Sequence, residues 1–165
     1  MVKEIIETLE LQPHPEGGFF KETYRSNGFI PQQVLPNGFD GPRNYSTCIY
    51  YLLQSGDFSA FHKIRQDEIW HFYLGSPIEL YMISEFGNLT KVTIGNVITK
   101  GQRLQFVVPK NHWFAATVVE KNSFSLIGCT VSPGFDFKDF TLASQQDLIE
   151  SFPQHRDIIK TFTRP

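Results

Sequence analysis

His62, Glu68 and His71 fall within GDFSAFHKIRQDEIWHFYLG, a strand-rich stretch bracketed by Gly56 and Gly75. A half-buried strand alternates its side chains between core and solvent, so at least one of these ionisable groups points inward, where an unpaired charge is expensive. Burial disfavours Glu68 as an anion and a protonated His62 favours it. The pair therefore settles either as imidazolium and carboxylate or as two neutral groups. Either arrangement can move a proton, and a positioned general base typically contributes ~10²–10⁴-fold to a rate. The plainer reading is a buried polar pair that satisfies itself and fixes strand register.

Counting by twos from Glu68 puts Trp70 and Phe72 on the same inward face, an apolar wall that either stacks on a ligand ring or fills the interior. His71 lies an odd number of residues from Glu68 and is expected to face outward. His14 and Glu16 precede Gly17-Gly18, where the chain can turn sharply or approach another surface closely; Glu16 is a ligand-binding candidate or the solvent-facing part of a turn. His112 reads as an exposed loop residue, and Arg25 and Arg43 as surface ion pairs or, on the sharper reading, as contacts to an anionic substrate such as a phosphate or carboxylate. Cys48 and Cys129 form no C-x-x-C pair, which removes thiolate zinc and redox motifs and leaves two small hydrophobes.

These groups must be positioned by strands. Residues 3–11 place Ile5, Ile6 and Leu9 on one helical face, and this helix must stop before Pro13 and Pro15. After Gly18 short strand-like segments follow one another: FFKETYR, YSTCIYYLLQ, then 57–62, 67–74, 78–84, 89–95, 103–108, 113–119 and 123–132. The turn residues between them recur at the spacing of a sandwich or barrel, not of βαβ units. Residues 27–44, rich in Gly and Pro, read as a long loop that forms a lid or an interface. Ser144, followed by Asp147, Leu148, Ile149 and Phe152, predicts a capped helix broken by Pro153, and Ile158, Ile159 and Phe162 predict another turn or two outside the barrel.

The chain has 165 residues, 41% hydrophobic and 19% charged, with 16 Phe, which suits one β-rich domain with a sizeable core. A net charge of −2 without a basic block argues against a nucleic-acid or anionic-membrane binder. The first residues lack a signal-peptide core, and the longest apolar run, Cys48 to Leu53, is too short to span a bilayer, so a cytoplasmic protein is expected.

The order Gly56, His62, Ile64, Glu68, Gly75 resembles the first motif of the cupin superfamily, with Ile64 where a second histidine is usual. GQRLQFVVPKNHWFAA (101–116) resembles the second motif, with Phe114 in the place of the last metal-binding histidine. PHPEGGFFKETYRS (13–26), SAFHKIRQDEIWHFYLGSP (59–77), VVPKNHWFAA (107–116) and GCTVSPGFDFKDF (128–140) match one branch closely, the fifth cupin family, grouped as a domain of unknown function. The resemblance implies an all-β double-stranded β-helix, the cupin jelly roll, with a short N-terminal helix and C-terminal helices outside it, assembled as a homodimer. It also implies a small organic ligand in the barrel, a sugar or nucleotide-sugar derivative, with His62 and Glu68 as a proton-transfer pair of epimerase or isomerase type. Trp70, Phe72, Gln105, Phe114 and Glu16 would contact that ligand. A non-catalytic binding protein is the first alternative. The second is a metal-dependent cupin in which a divalent ion is held by His62 and Glu68, with His71, Gln105 or substrate completing its shell.

Overall fold

The computed structural model describes residues 1–164. Its strands are β1 (Gln12–Pro13), β2 (Phe19–Arg25), β3 (Phe29–Ile30), β4 (Arg43–Asn44), β5 (Thr47–Gln54), β6 (Phe58–Lys63), β7 (Asp67–Gly75), β8 (Ile78–Ile83), β9 (Leu89–Ile94), β10 (Gln105–Val108), β11 (Trp113–Val118), β12 (Phe124–Ser132) and β13 (Thr141–Leu142). Three helices, α1 (Val2–Thr8), α2 (Gln145–Ser151) and α3 (Arg156–Thr161), flank them. One antiparallel sheet runs β1-β2-β5-β12-β7-β10 and the other β13-β6-β11-β8-β9, with β3 and β4 paired apart. Consecutive strands β5, β6, β7 and β8 alternate between the two sheets, which is the winding of a cupin jelly roll.

The inner faces of the two sheets meet over Tyr51, Leu53, Trp70, Leu80, Phe114 and Ile127, all buried. This is the alternation expected of packed sheets. A second cluster lies on the opposite side of the five-stranded sheet, where Leu148, Ile159 and Phe162 of the C-terminal segment cover Phe61, Ile83 and Ala115. Ser144 caps α2 by accepting the Asp147 amide. Helix α1 ends at Thr8, earlier than the apolar spacing suggests, because Glu10 takes a positive φ of 53° and turns the chain toward β1. No described helix is long and apolar enough to cross a membrane.

Residues 27–44 hold only β3, β4 and one 3-10 turn, as a long loop should. Arg43, expected at the surface, is instead 4% exposed. Its Nε and Nη2 donate to the two carboxylate oxygens of Asp139 at 2.8 Å each, and Gln66 Nε2 donates to the same carboxylate at 2.7 Å. A planar guanidinium can span a carboxylate with two parallel bonds, which makes burial of the charge tolerable. Arg25 does form a surface pair, with Glu22.

Candidate functional site in the barrel mouth

The site is built around β6. Its register against β11 pairs His62 with Phe114 but Ser59 with Ala116, so β6 carries one extra residue between these pairs. Such a bulge lets two residues an odd number apart face the same side. Ser59 and His62 both turn inward, toward the carboxylate of Glu16. Ser59 Oγ donates to Glu16 Oε1 at 2.9 Å, and His62 Nε2 lies 3.0 Å from Glu16 Oε2. Glu16 is delivered by the turn between β1 and β2. There Gly17 adopts φ 116°, and a side chain at that position would strike the Phe58 carbonyl at 2.2 Å. Only glycine fits.

His62 Nδ1 sits 2.7 Å from the Ala60 carbonyl, which can only accept, so this nitrogen carries a proton. A second proton is shared between Nε2 and Glu16. Burial opposes charge on both groups, but their mutual attraction overcomes it: Glu16, helped by His14 and Ser59, is held down to about 2, and His62 is pushed up. His14 lies beside them and accepts the Glu16 amide on Nδ1. Burial lowers its hold on a proton, opposed by the charge of Glu16, whose Oε2 lies 3.3 Å from the same Nδ1.

Glu68 projects into the same cavity from β7 and is 8% exposed. The Trp70 indole donates to its Oε1 at 3.0 Å, and Cys129 lines the same cavity. Burial, reinforced by the negative charge of Glu16 and only partly offset by His62, pushes Glu68 up to about 7. The remaining walls are Thr47 and a mostly apolar set, Ile49, Tyr51, Ile64, Val131, Phe135 and Phe140. They leave a cavity of about 40 Å³. One water occupies ~10–15 Å³ by this measure, so the space suits a fragment of a few heavy atoms.

His62, Glu68 and Glu16 thus come together, but the partnership differs from the expected one. His62 pairs with Glu16, because the β6 bulge aims its ring at the β1–β2 turn, and Glu68 stands apart, held by the Trp70 indole. Trp70 is inward and fully buried, behind Glu68 instead of on the cavity wall; Phe114 lies behind His62, ring centroids 4.0 Å apart. Two expected ligand contacts lie elsewhere. Phe72 packs against the core opposite Ile127, farther along β7 from the mouth, and Gln105 is on the outer face, 2.9 Å from His71 Nδ1. His71 faces outward, as its parity requires, and also bonds Thr130. Sequence reasoning missed Phe135 and Phe140, which come from an irregular strap after β12; the FDFKDF spacing of aromatics was the available signal.

The residues at the cupin metal positions do not fit an ion. Ile64 and Phe114 offer no donor atom, His62 has both nitrogens engaged, and among the described residues no three His, Cys, Asp or Glu side chains converge on a point.

Residues 3–143 match the family model described as cupin superfamily (DUF985). An uncharacterised protein of Saccharomyces cerevisiae is 32% identical over 158 residues, covering 90% of this chain and 78% of the yeast protein. A crystal structure of a Shewanella oneidensis protein superposes with a TM-score of 0.87 at 39% identity, covering 99% of this chain and 97% of that one. A hypothetical protein from Leishmania major gives 0.91 at 30% identity, covering 100% and 99%. Bacillus subtilis oxalate decarboxylase shares the fold alone, with a TM-score of 0.56 at 11% identity over 91% of this chain and 36% of that one. The two packed sheets, these full-length likenesses and the family match over residues 3–143 lead to one assignment: the chain belongs to the DUF985 family of the cupin superfamily.

Proposed function

We propose that the barrel mouth binds a small organic ligand and that Glu68 exchanges a proton with it, a chemistry of the epimerase or isomerase type. The observation that carries this reading is a carboxyl inside a mostly apolar cavity, pushed up to about 7, beside a histidine whose protons are already committed. A group that titrates near neutrality can both accept and return a proton during turnover. His62 and Glu16 then act as a fixed pair: the imidazolium charge steadies an anion forming nearby, and Glu16 with Ala60 holds the ring still. Among the described residues no Lys or Arg lines the cavity, so the diphosphate of a nucleotide sugar would lie outside it, and only a substituent of the sugar ring, a few heavy atoms, would enter.

Native mass spectrometry of protein purified without chelator tests the binding half. A stoichiometric organic mass that leaves on denaturation supports it. Absence of such a mass, together with no thermal shift from a library of small polyols, amines and carbonyl compounds, removes it. The proton-transfer half is tested by incubating the identified ligand in deuterium oxide. Deuterium should enter a C–H position with wild type and not with Glu68→Gln. A ligand returned unlabelled by both supports the second reading, a binding protein without turnover, for which the tight ion pair in the wall is the favouring observation.

A further inference from the structure

The charges around the cavity do not balance. Two carboxyls, Glu16 and Glu68, enter it, while the two imidazoles in its lining, His62 and His14, are both turned to Glu16, at 3.0 and 3.3 Å from its Oε2. The groups around Glu68 from the packed elements are His62 on β6, Glu16 on the β1–β2 turn with His14 beside it, Cys129 on β12 and the Trp70 indole on its own strand. None of them is a free cation. A carboxyl held in this position without a counter-charge is costly when ionised, and its apolar surroundings magnify any charge brought against it. The adjoining walls carry the rings of Tyr51, Phe135 and Phe140, surfaces that favour a weakly hydrated organic cation. A metal ion would need donors that Ile64 and the wall aliphatics do not have.

We propose that the ligand is a small organic ammonium, a primary or secondary amine of a few heavy atoms, whose N–H groups donate to Glu68 while its carbon body rests against the aromatic wall. This inference rests on the small-molecule reading above and narrows its substrate class. It also gives Glu68 a second consequence. Because the carboxyl is partly protonated near neutrality, an amine that arrives as a cation expels the Glu68 proton, whereas a neutral ligand leaves it in place.

The test uses matched probes: isobutylamine, 2-methyl-1-propanol and isobutyrate, with benzylamine, benzyl alcohol and benzoate as a larger set. Binding to the intact protein is followed at pH 8 through the Trp70 indole N–H signal, which reports on its Glu68 partner, and proton release is read by calorimetry at pH 6.5 in two buffers of different ionisation enthalpy. The amines should bind about tenfold or more tightly than the alcohols, the acids more weakly still, and amine binding should release a proton. Glu68→Gln should erase the amine preference and the proton release. Equal binding of amine and alcohol, or preference for the acid, overturns the ammonium assignment and leaves the pocket reading standing. If none of the six probes moves the Trp70 signal, the ammonium assignment falls, and the pocket reading is then decided by the native mass spectrum and the ligand library.

Discussion

Glu16 and Glu68 are two buried carboxyls of opposite thermodynamic sign. Glu16 falls to about 2 in the folded chain from an ordinary 4.5, and His62 rises from 6.5. Their pairing therefore stabilises the fold fully between about pH 4.5 and 6.5. The benefit fades as acid protonates Glu16 toward pH 2, and again as base removes the His62 proton above its raised value. Glu16→Gln leaves a buried imidazolium without its partner and should cost roughly 3 kcal/mol within that window. The difference from wild type in urea unfolding should shrink on both sides of it; a pH-independent difference would contradict the ion pair. Glu68 runs the other way, since its folded value of about 7 exceeds 4.5. The folded state binds its proton more tightly, so wild-type stability falls as pH rises from 4.5 to 7. Glu68→Gln, which never ionises, should match wild type near pH 4 and exceed it at pH 8 by roughly 1–3 kcal/mol, measured by the same unfolding experiment.

At the scale of elements, the sequence discloses the strands well and the site unevenly. Alternation and turn glycines are local, so the meander from β5 to β12 is legible, and strand parity places Glu68 inward and His71 outward. The bulge in β6 is not legible, because nothing in SAFHK announces that Ser59 and His62 will share a face. Pairings across long separations are equally hidden: Ser59 meets Glu16 43 residues away, and Arg43 meets Asp139 at 96. The second of these pins the strap that supplies Phe135 and Phe140 to the cavity, together with the Phe135 amide donating to Thr47. Arg43→Ala strands a buried carboxylate and should cost about 3–5 kcal/mol, with chymotrypsin cutting faster at Phe135, Phe137 or Phe140. Replacing both partners, Arg43→Met with Asp139→Leu, should recover much of that stability; if the double variant is no better than the single, the strap is held by something other than this pair. Gly17→Ala should act at the same scale by forcing the β1–β2 turn off the Phe58 carbonyl, at about 1–3 kcal/mol, and carrying Glu16 away from His62.

The whole molecule separates its stability from its site through one strand. Along β6 the inward residues Ser59 and His62 belong to the cavity, while Phe61 points to the opposite side and is covered by the C-terminal helices. The Phe61 amide donates to the Phe162 carbonyl at 2.8 Å, and the Ala143 amide donates to the Phe61 carbonyl at 2.8 Å, so the helical segment is stitched to the same strand from outside. Ile159 is fully buried in that outer cluster and does not line the cavity. Ile159→Ala should therefore open a cavity under the helices and cost about 2–5 kcal/mol, lowering the urea midpoint. The Trp70 indole signal and its response to pH should stay unchanged below the transition, because Glu68 and its partners lie on the other side of the sheet. A shift of that signal in the folded variant would show that the outer cluster tunes the barrel mouth through β6, and that packing and chemistry are coupled in this fold instead of layered.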